Sequence, residues 1–288
     1  MGTPEEKFEK WWRASKSANI TVPAIDLYQG PAWCWVRTAF STLLGKSPAT
    51  ELWIVSAGLG LIPCDLQVPP YSATFAFGDP NSVARNVEGN REWWERLSTK
   101  KAEQGDCGSI KRLAERNPQS RFLIGLSAAY LKVVLPELVE AKMRLSDPGN
   151  LIVVCAGAGK VPELADSVLP VDARFENKFG VTRMALNARM LAHIAETVPI
   201  DSIEAATIGS VLAAEATSLP PPRKSERVRL TDDAIHDFIR RNLETNRHAS
   251  ASQILKELRA SGYACEQKRL SQLFKQKADK LKSENETQ

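Results

Sequence analysis

Leu151-Ile152-Val153-Val154-Cys155 is an unbroken apolar run that passes directly into the small residues Ala156-Gly157-Ala158-Gly159. Two earlier stretches are built the same way. Leu52-Trp53-Ile54-Val55 runs into Ser56-Ala57-Gly58, and Phe122-Leu123-Ile124-Gly125-Leu126 runs into Ser127-Ala128-Ala129. Apolar runs without alternation suit strands buried on both faces of a parallel sheet. Helical spacing lies around them, at about 91–97, at 132–145 with Pro136 in or near the first turn, and at 182–197. Strands alternating with helices predict an α/β fold with a mostly parallel sheet flanked by helices. In such sheets ligands bind at the carboxyl ends of strands, where small residues let them approach the backbone. Gly157-Ala158-Gly159-Lys160 is nevertheless not a nucleotide loop. A Walker motif needs glycine where Val154 stands and Ser or Thr where Val161 stands, and a dinucleotide fingerprint needs glycine at Pro162. No cofactor is expected.

Upstream, residues 4–17 have a short helix's spacing, with Phe8, Trp11 and Trp12 on one side as a packing lid, and Gly30-Pro31 opens a helix to about Leu44. The 288 residues are 43% hydrophobic and 25% charged, ordinary globular proportions that exclude collagen-like and wholly disordered chains. No apolar run approaches the roughly 18 residues of a membrane span, and the polar, acidic start is wrong for a signal peptide. Five cysteines at wide, irregular spacing and three histidines fit neither a disulfide framework nor a zinc site. Reduced thiols in a cytoplasm, with no metal, are the expectation.

The charge is uneven. From Pro221 onward there are 15 Lys+Arg against 10 Asp+Glu, whereas the first 220 residues carry 23 against 24. A basic appendage on a neutral body points to a polyanion such as DNA. Pro220-Pro221-Pro222-Arg223-Lys224 reads as a stiff basic linker. The expected plan is therefore an α/β catalytic domain at 1–215, a linker at 216–229 and an all-α domain at 230–288. In the last, Thr231 caps a helix burying Ile235, Phe238, Ile239 and Leu243. A second helix buries Ile254, Leu255 and Leu258, and a third, over about 266–276, buries Leu270, Leu273 and Phe274. The third shows Lys268, Arg269, Gln272, Lys275 and Gln276 on its other face, as a helix-turn-helix-like unit needs for phosphates and base edges. A protein-interaction bundle is the plainer alternative.

The densest motif is Asp26-Leu27-Tyr28-Gln29-Gly30-Pro31 together with Ser56-Ala57-Gly58-Leu59-Gly60-Leu61-Ile62-Pro63-Cys64-Asp65-Leu66-Gln67-Val68-Pro69-Pro70-Tyr71. Over roughly residues 23–145 it resembles the YaaA-like superfamily, whose members share a strand ending in Ser-Gly/Ala, a Gly-Leu pair, then Pro-x-Asp and Pro-Tyr. Ser127-Ala128-Ala129-Tyr130 extends the likeness. Within that superfamily the chain looks most like antiphage DNA glycosylases of the Brig type. The resemblance implies a fold related to uracil-DNA glycosylases and excision of a modified base, of the glucosylated hydroxymethylcytosine kind, from double-stranded phage DNA. The chain departs from the family near its start, where Arg13-Ala14-Ser15-Lys16-Ser17 replaces a strand ending in cysteine.

Hydrolysis of an N-glycosidic bond develops positive charge on the sugar, which a fixed carboxylate can stabilise while orienting a water. Asp65, held between Pro63 and the Pro69-Pro70 pair, is the first candidate; Asp79, in Phe77-Gly78-Asp79-Pro80-Asn81, is the second. Each also reads as a turn former, Asp79 before Pro80 above all. Tyr28, Gly30, Ser56, Gly58, Gly60, Tyr71, Ser127 and Tyr130 are the candidates for holding an extruded base by stacking and hydrogen bonds. Arg183 and Asn187 share a helix face, with Arg189 close by, and are candidates for gripping DNA. A base-exchanging transglycosylase and a non-catalytic DNA-binding stress protein are the rival functions.

Overall fold

The computed structural model describes residues 3–17, 19–221, 228–247 and 249–285, the last nine of these as backbone only. It divides into two compact units, Met1–Pro222 and Arg223–Gln288. The first unit runs α1 (Pro4–Lys16), β1 (Val22–Pro23), α2 (Ala24–Leu27), α3 (Pro31–Lys46), β2 (Trp53–Ser56), β3 (Gly60–Pro63), β4 (Gln67–Val68), α4 (Val87–Glu103), α5 (Ile110–Arg116), β5 (Phe122–Gly125), α6 (Ala128–Arg144), β6 (Leu151–Val154), α7 (Arg174–Phe179), α8 (Arg183–Thr197) and α9 (Ala205–Ser218). The second unit runs β7 (Val228–Arg229), α10 (Asp232–Thr245), α11 (Ala251–Ala260), β8 (Tyr263–Ala264) and α12 (Gln267–Asn285). The chain is thus a mixed α/β protein. No helix among the described residues is long and apolar enough to cross a membrane.

β6 explains why an all-apolar run makes a strand here. Leu151, Val153 and Cys155 face one apolar cluster, with Trp94, Leu97, Leu131 and Leu138. Ile152 and Val154 face a second, with Leu186, Met190, Ile208 and Leu212. Alternate side chains point to opposite faces, so a strand covered by helices on both sides must be apolar throughout. β5 pairs with β6 in parallel, Phe122 opposite Leu151. Within the same unit, α3 packs against α8 through Ala39, Ala192 and Ala195. The Lys46 ammonium closes the end of α8 by donating to the Ala195 and Val198 carbonyls (2.5 and 3.1 Å).

The expected mostly parallel sheet is not what the first run forms. β2 turns back at Ala57-Gly58-Leu59 and pairs antiparallel with β3, Ser56 opposite Gly60. The small residues at the strand end make a hairpin there, not a crossover to a helix. Among the described residues the strands form four two-stranded ladders, two parallel and two antiparallel. Pro136 also lies deeper than expected, well inside α6. Lacking an N–H, it leaves the Lys132 carbonyl without its helical donor, and Arg91 Nε supplies one (3.1 Å).

The second unit is not all-α, because β7 and β8 pair in parallel, Val228 opposite Tyr263. Its three helices bury Ile235, Ile239, Ile254, Leu255, Leu258, Leu270 and Leu273 as their spacing requires. The linker is shorter than 216–229, since Ala216–Ser218 closes α9 and Val228–Arg229 is β7. Its basic core at 222–227 lies outside the described residues.

One buried acid gives a pH signature. Glu137 Oε2 accepts from the Ile110 N–H at the start of α5 (2.9 Å), and Oε1 accepts from the Ser98 hydroxyl (3.3 Å). Burial pushes its carboxyl above the usual carboxylate range. A raised acid favours the fold while protonated, so its stabilisation is full below the unfolded pKa of about 4.3 and is lost as pH rises through the folded value. Glu137→Gln, which stays neutral, is expected to gain thermal stability relative to wild type as pH climbs through that window. Paired thermal melts across a pH series check this; a constant difference would contradict it.

Candidate active site

The β2–β3 hairpin builds the floor of the site. Ser56 ends β2, and its Oγ accepts from the Gly58 N–H (3.2 Å) and the Leu59 N–H (2.9 Å), fixing the turn. Two tryptophans clamp the turn's carbonyls from outside. Trp11 Nε1 donates to the Gly58 oxygen and Trp93 Nε1 to the Ala57 oxygen, both at 2.8 Å. Gly58 must lack a side chain: a Cβ there would lie 2.7 Å from both the Trp11 ring and the Tyr71 ring. Tyr71 therefore rests directly on the turn's backbone, with Trp11 against it edge-on at 6.0 Å.

Tyr28 reaches the same place from a separate segment. β1 pairs antiparallel with β4, and the Ala24 and Ile25 N–H groups donate to the Leu66 and Cys64 carbonyls. From α3, Trp33 Nε1 and Arg37 Nη2 both donate to the Ile25 carbonyl (2.8 and 2.6 Å). Held in this way, the Tyr28 hydroxyl meets the Tyr71 hydroxyl at 2.5 Å, and Tyr71 meets Ser56 Oγ at 2.5 Å.

These side chains line a cavity of about 370 Å³ together with Thr74, Asp79, Asn81 and Tyr130. That size falls in the ~300–1,000 Å³ range of small-molecule sites. Asp79 arrives on a loop tied across itself. Thr74 N donates to the Asn81 carbonyl (3.0 Å), Val83 N to the Thr74 carbonyl (3.1 Å), and the Ser82 hydroxyl to the Ala76 and Asp79 carbonyls (2.5 and 2.8 Å). One Asp79 oxygen, Oδ1, accepts from the Asn81 N–H (2.8 Å), which leaves Oδ2 for a water or ligand. Tyr130 stands on the first turn of α6 and packs edge-on against Phe75 (4.9 Å). Burial raises the phenol pKa of Tyr28, Tyr71 and Tyr130. All three stay protonated at neutral pH and act as neutral hydrogen-bonding groups. Asp79 is the one carboxylate among the described lining residues, and none of them is Lys, Arg or His. The arrangement suits a neutral polar ring better than a phosphate.

The structure thus brings Tyr28, Ser56, Tyr71, Tyr130 and Asp79 together and leaves the first-choice carboxylate out. Asp65 is exposed on the turn between β3 and β4, closed by Leu66 N donating to the Pro63 carbonyl (3.3 Å), and is not part of the cavity lining. Pro63 stiffens a turn there, as it would beside any turn-forming aspartate. Gly58 and Gly60 shape the hairpin without lining the cavity. Gly30 precedes α3 with φ +94°, and Ser127 caps α6 by accepting from the Tyr130 N–H (3.4 Å); neither lines the cavity.

Two of the residues expected to grip DNA are structural. Asn187 Oδ1 accepts from the Ala156 N–H and its Nδ2 donates to the Leu126 carbonyl, both at 2.7 Å, so it staples the ends of β5 and β6. Arg189 is largely buried between Glu196 (3.2 Å) and the rings of Trp35 and Phe179 (4.5 and 4.6 Å). Arg183 does remain largely exposed, its guanidinium lying over Gly157. In the second unit Lys268, Gln272 and Lys275 are exposed on α12. Arg269 is not available with them, since it bonds the Asp232 carboxylate and the Leu230 carbonyl.

Sequence reasoning missed Thr74 and Asn81, which reach the cavity only through the fold of the 69–86 loop and carry no motif of their own. Trp11 was legible as a packing lid, but not as the clamp on Gly58. No family model matches the chain, and neither a curated protein nor a solved structure does so.

Proposed function

We propose that the chain is a DNA glycosylase that takes one modified base, of the glucosylated hydroxymethylcytosine kind, out of phage DNA and leaves an abasic site. What supports this reading is the cavity: neutral tyrosine, serine and threonine hydroxyls surround it, and Asp79 is its sole carboxylate among the described lining residues. An everted base is a flat, neutral, polar ring. The nucleotide's phosphates stay outside, so the lack of Lys, Arg or His among the described lining residues carries no penalty. Asp79 stabilises the positive charge that develops on the sugar and orients the attacking water, in place of Asp65. Lysine does not figure among the described lining residues, so the reaction stops at the abasic site with no Schiff-base cleavage. The first unit is then a uracil-DNA-glycosylase-like layer fold, and the second a helix-turn-helix-like module that holds DNA through α12.

Incubation with T-even phage DNA followed by hot alkali tests the activity. Strand breaks are expected without any added base, which also separates hydrolysis from base exchange. Intact DNA despite tight binding would favour a non-catalytic binder. For the second unit, Lys268→Ala with Lys275→Ala is expected to weaken DNA binding and to lower the salt-dependence slope by about 2, roughly one for each phosphate that is no longer neutralised. Fluorescence anisotropy over a salt series measures it; an unchanged slope would remove α12 from the interface.

A further inference from the structure

We infer that Ser56, Tyr71 and Tyr28 form a one-way hydrogen-bond relay that makes Tyr28 the donor to the carbonyl oxygen of the departing base. This rests on the glycosylase reading above and assigns its leaving-group catalyst. Counting fixes the first step, and the second is inferred. A serine hydroxyl has two lone pairs and one proton. Both lone pairs of Ser56 Oγ are engaged by the Gly58 and Leu59 N–H groups. Its proton must therefore go to the Tyr71 oxygen 2.5 Å away. Tyr71 then accepts from Ser56 and has one proton to give, which the relay assigns to the nearest hydroxyl, the Tyr28 oxygen, also at 2.5 Å. Tyr28 accepts in turn, and its own proton is left for whatever occupies the cavity it lines. Two backbone amides thus set the polarity at Ser56, from which the relay runs to Tyr28.

Such a chain polarises each member, so the terminal donor strengthens as negative charge grows on its acceptor. Glycosidic cleavage places negative charge there. The C1′–N1 bond breaks, its electron pair leaves with the base and spreads onto the carbonyl O2 of a cytosine. The water oxygen bonds to C1′, its proton passes to Asp79 or solvent, and the base collects a proton at the end. Tyr28 donates a hydrogen bond throughout and keeps its proton. Burial, which holds the Tyr28 and Tyr71 phenols above their ordinary pKa, favours that outcome. Tyr28 is then a catalytic residue, and Tyr71 and Ser56 are positioning residues.

The test pairs enzyme and substrate changes. Two oligonucleotides carry one glucosylated 5-hydroxymethylcytosine each, one with O2 and one with sulfur in its place, a far weaker acceptor. Single-turnover rates are measured for wild type, Tyr28→Phe and Tyr71→Phe. The oxygen-to-sulfur rate ratio is expected to be about 10-fold or more higher in wild type than in Tyr28→Phe, the size of a hydrogen bond to a charged group. A smaller fall is expected in Tyr71→Phe, which keeps the donor and cuts the relay. A uniform loss of rate with the same ratio in all three enzymes would overturn the relay while leaving the glycosylase intact. Failure of the wild type to cleave either substrate would remove the glycosylase reading, and the leaving-group role with it.

Discussion

Asp79→Ala is expected to lower the single-turnover rate of base excision by about 10²–10⁴-fold, the usual contribution of a positioned acid or base. Asp65→Ala is expected to leave that rate near wild type. The contrast follows from where the two carboxylates stand. Asp79 lines the cavity on a loop braced by the Ser82 hydroxyl, with one oxygen engaged by Asn81 and the other left over. Both side chains are exposed, but Asp65 sits on a turn outside the lining. DNA affinity should change little in either variant, because neither side chain carries positive charge toward phosphate. Rapid-quench assays beside anisotropy measurements separate the two effects. Equal losses in both variants would show that fold stability, not chemistry, had been perturbed.

Asn187→Leu is expected to cost about 2–4 kcal/mol of folding stability. The side chain makes two 2.7 Å hydrogen bonds, one to the Ala156 N–H and one to the Leu126 carbonyl. Leucine matches its size but removes both partners, and an orphaned backbone group costs about 1–3 kcal/mol. All seven tryptophans lie in the first unit, at 11, 12, 33, 35, 53, 93 and 94. Tryptophan fluorescence in a urea titration therefore reads that unit without interference from the second. Unchanged stability would mean that the ends of β5 and β6 do not depend on Asn187. Were Asn187 to grip DNA instead, binding would fall and the urea midpoint would not move.

What was legible in the sequence had local causes. Leu151 to Val154 could be read as a two-faced strand because burial on both sides removes polar residues from every position. The helices of the second unit could be read because each carries one apolar stripe; Thr231 caps the first as expected, and Ser250 caps the second. The hairpin at Ala57-Gly58-Leu59 was not legible. Small residues after a strand serve a turn back as well as a turn into a helix, and the carbonyls of this turn are clamped by Trp11 and Trp93, distant in sequence. The motif from Ser56 to Tyr71 gathered hydroxyls that do meet in the cavity. It put first a carboxylate that lies outside the cavity lining, because a Pro-x-Asp turn looks the same whether or not it faces a cavity. Arg189 and Arg269 show the same limit. A basic residue on a helix reads as available until the structure shows Trp35 and Phe179 against one and Asp232 on the other.

The central claim is that the tyrosine-lined cavity takes a base out of DNA and releases it by a step that needs Asp79. Mass spectrometry of the small molecules freed from T-even phage DNA addresses it directly. Wild type and Asp65→Ala should release free modified base, and Asp79→Ala should release almost none. Absence of free base from the wild-type digest, or its undiminished release by Asp79→Ala, would contradict the account.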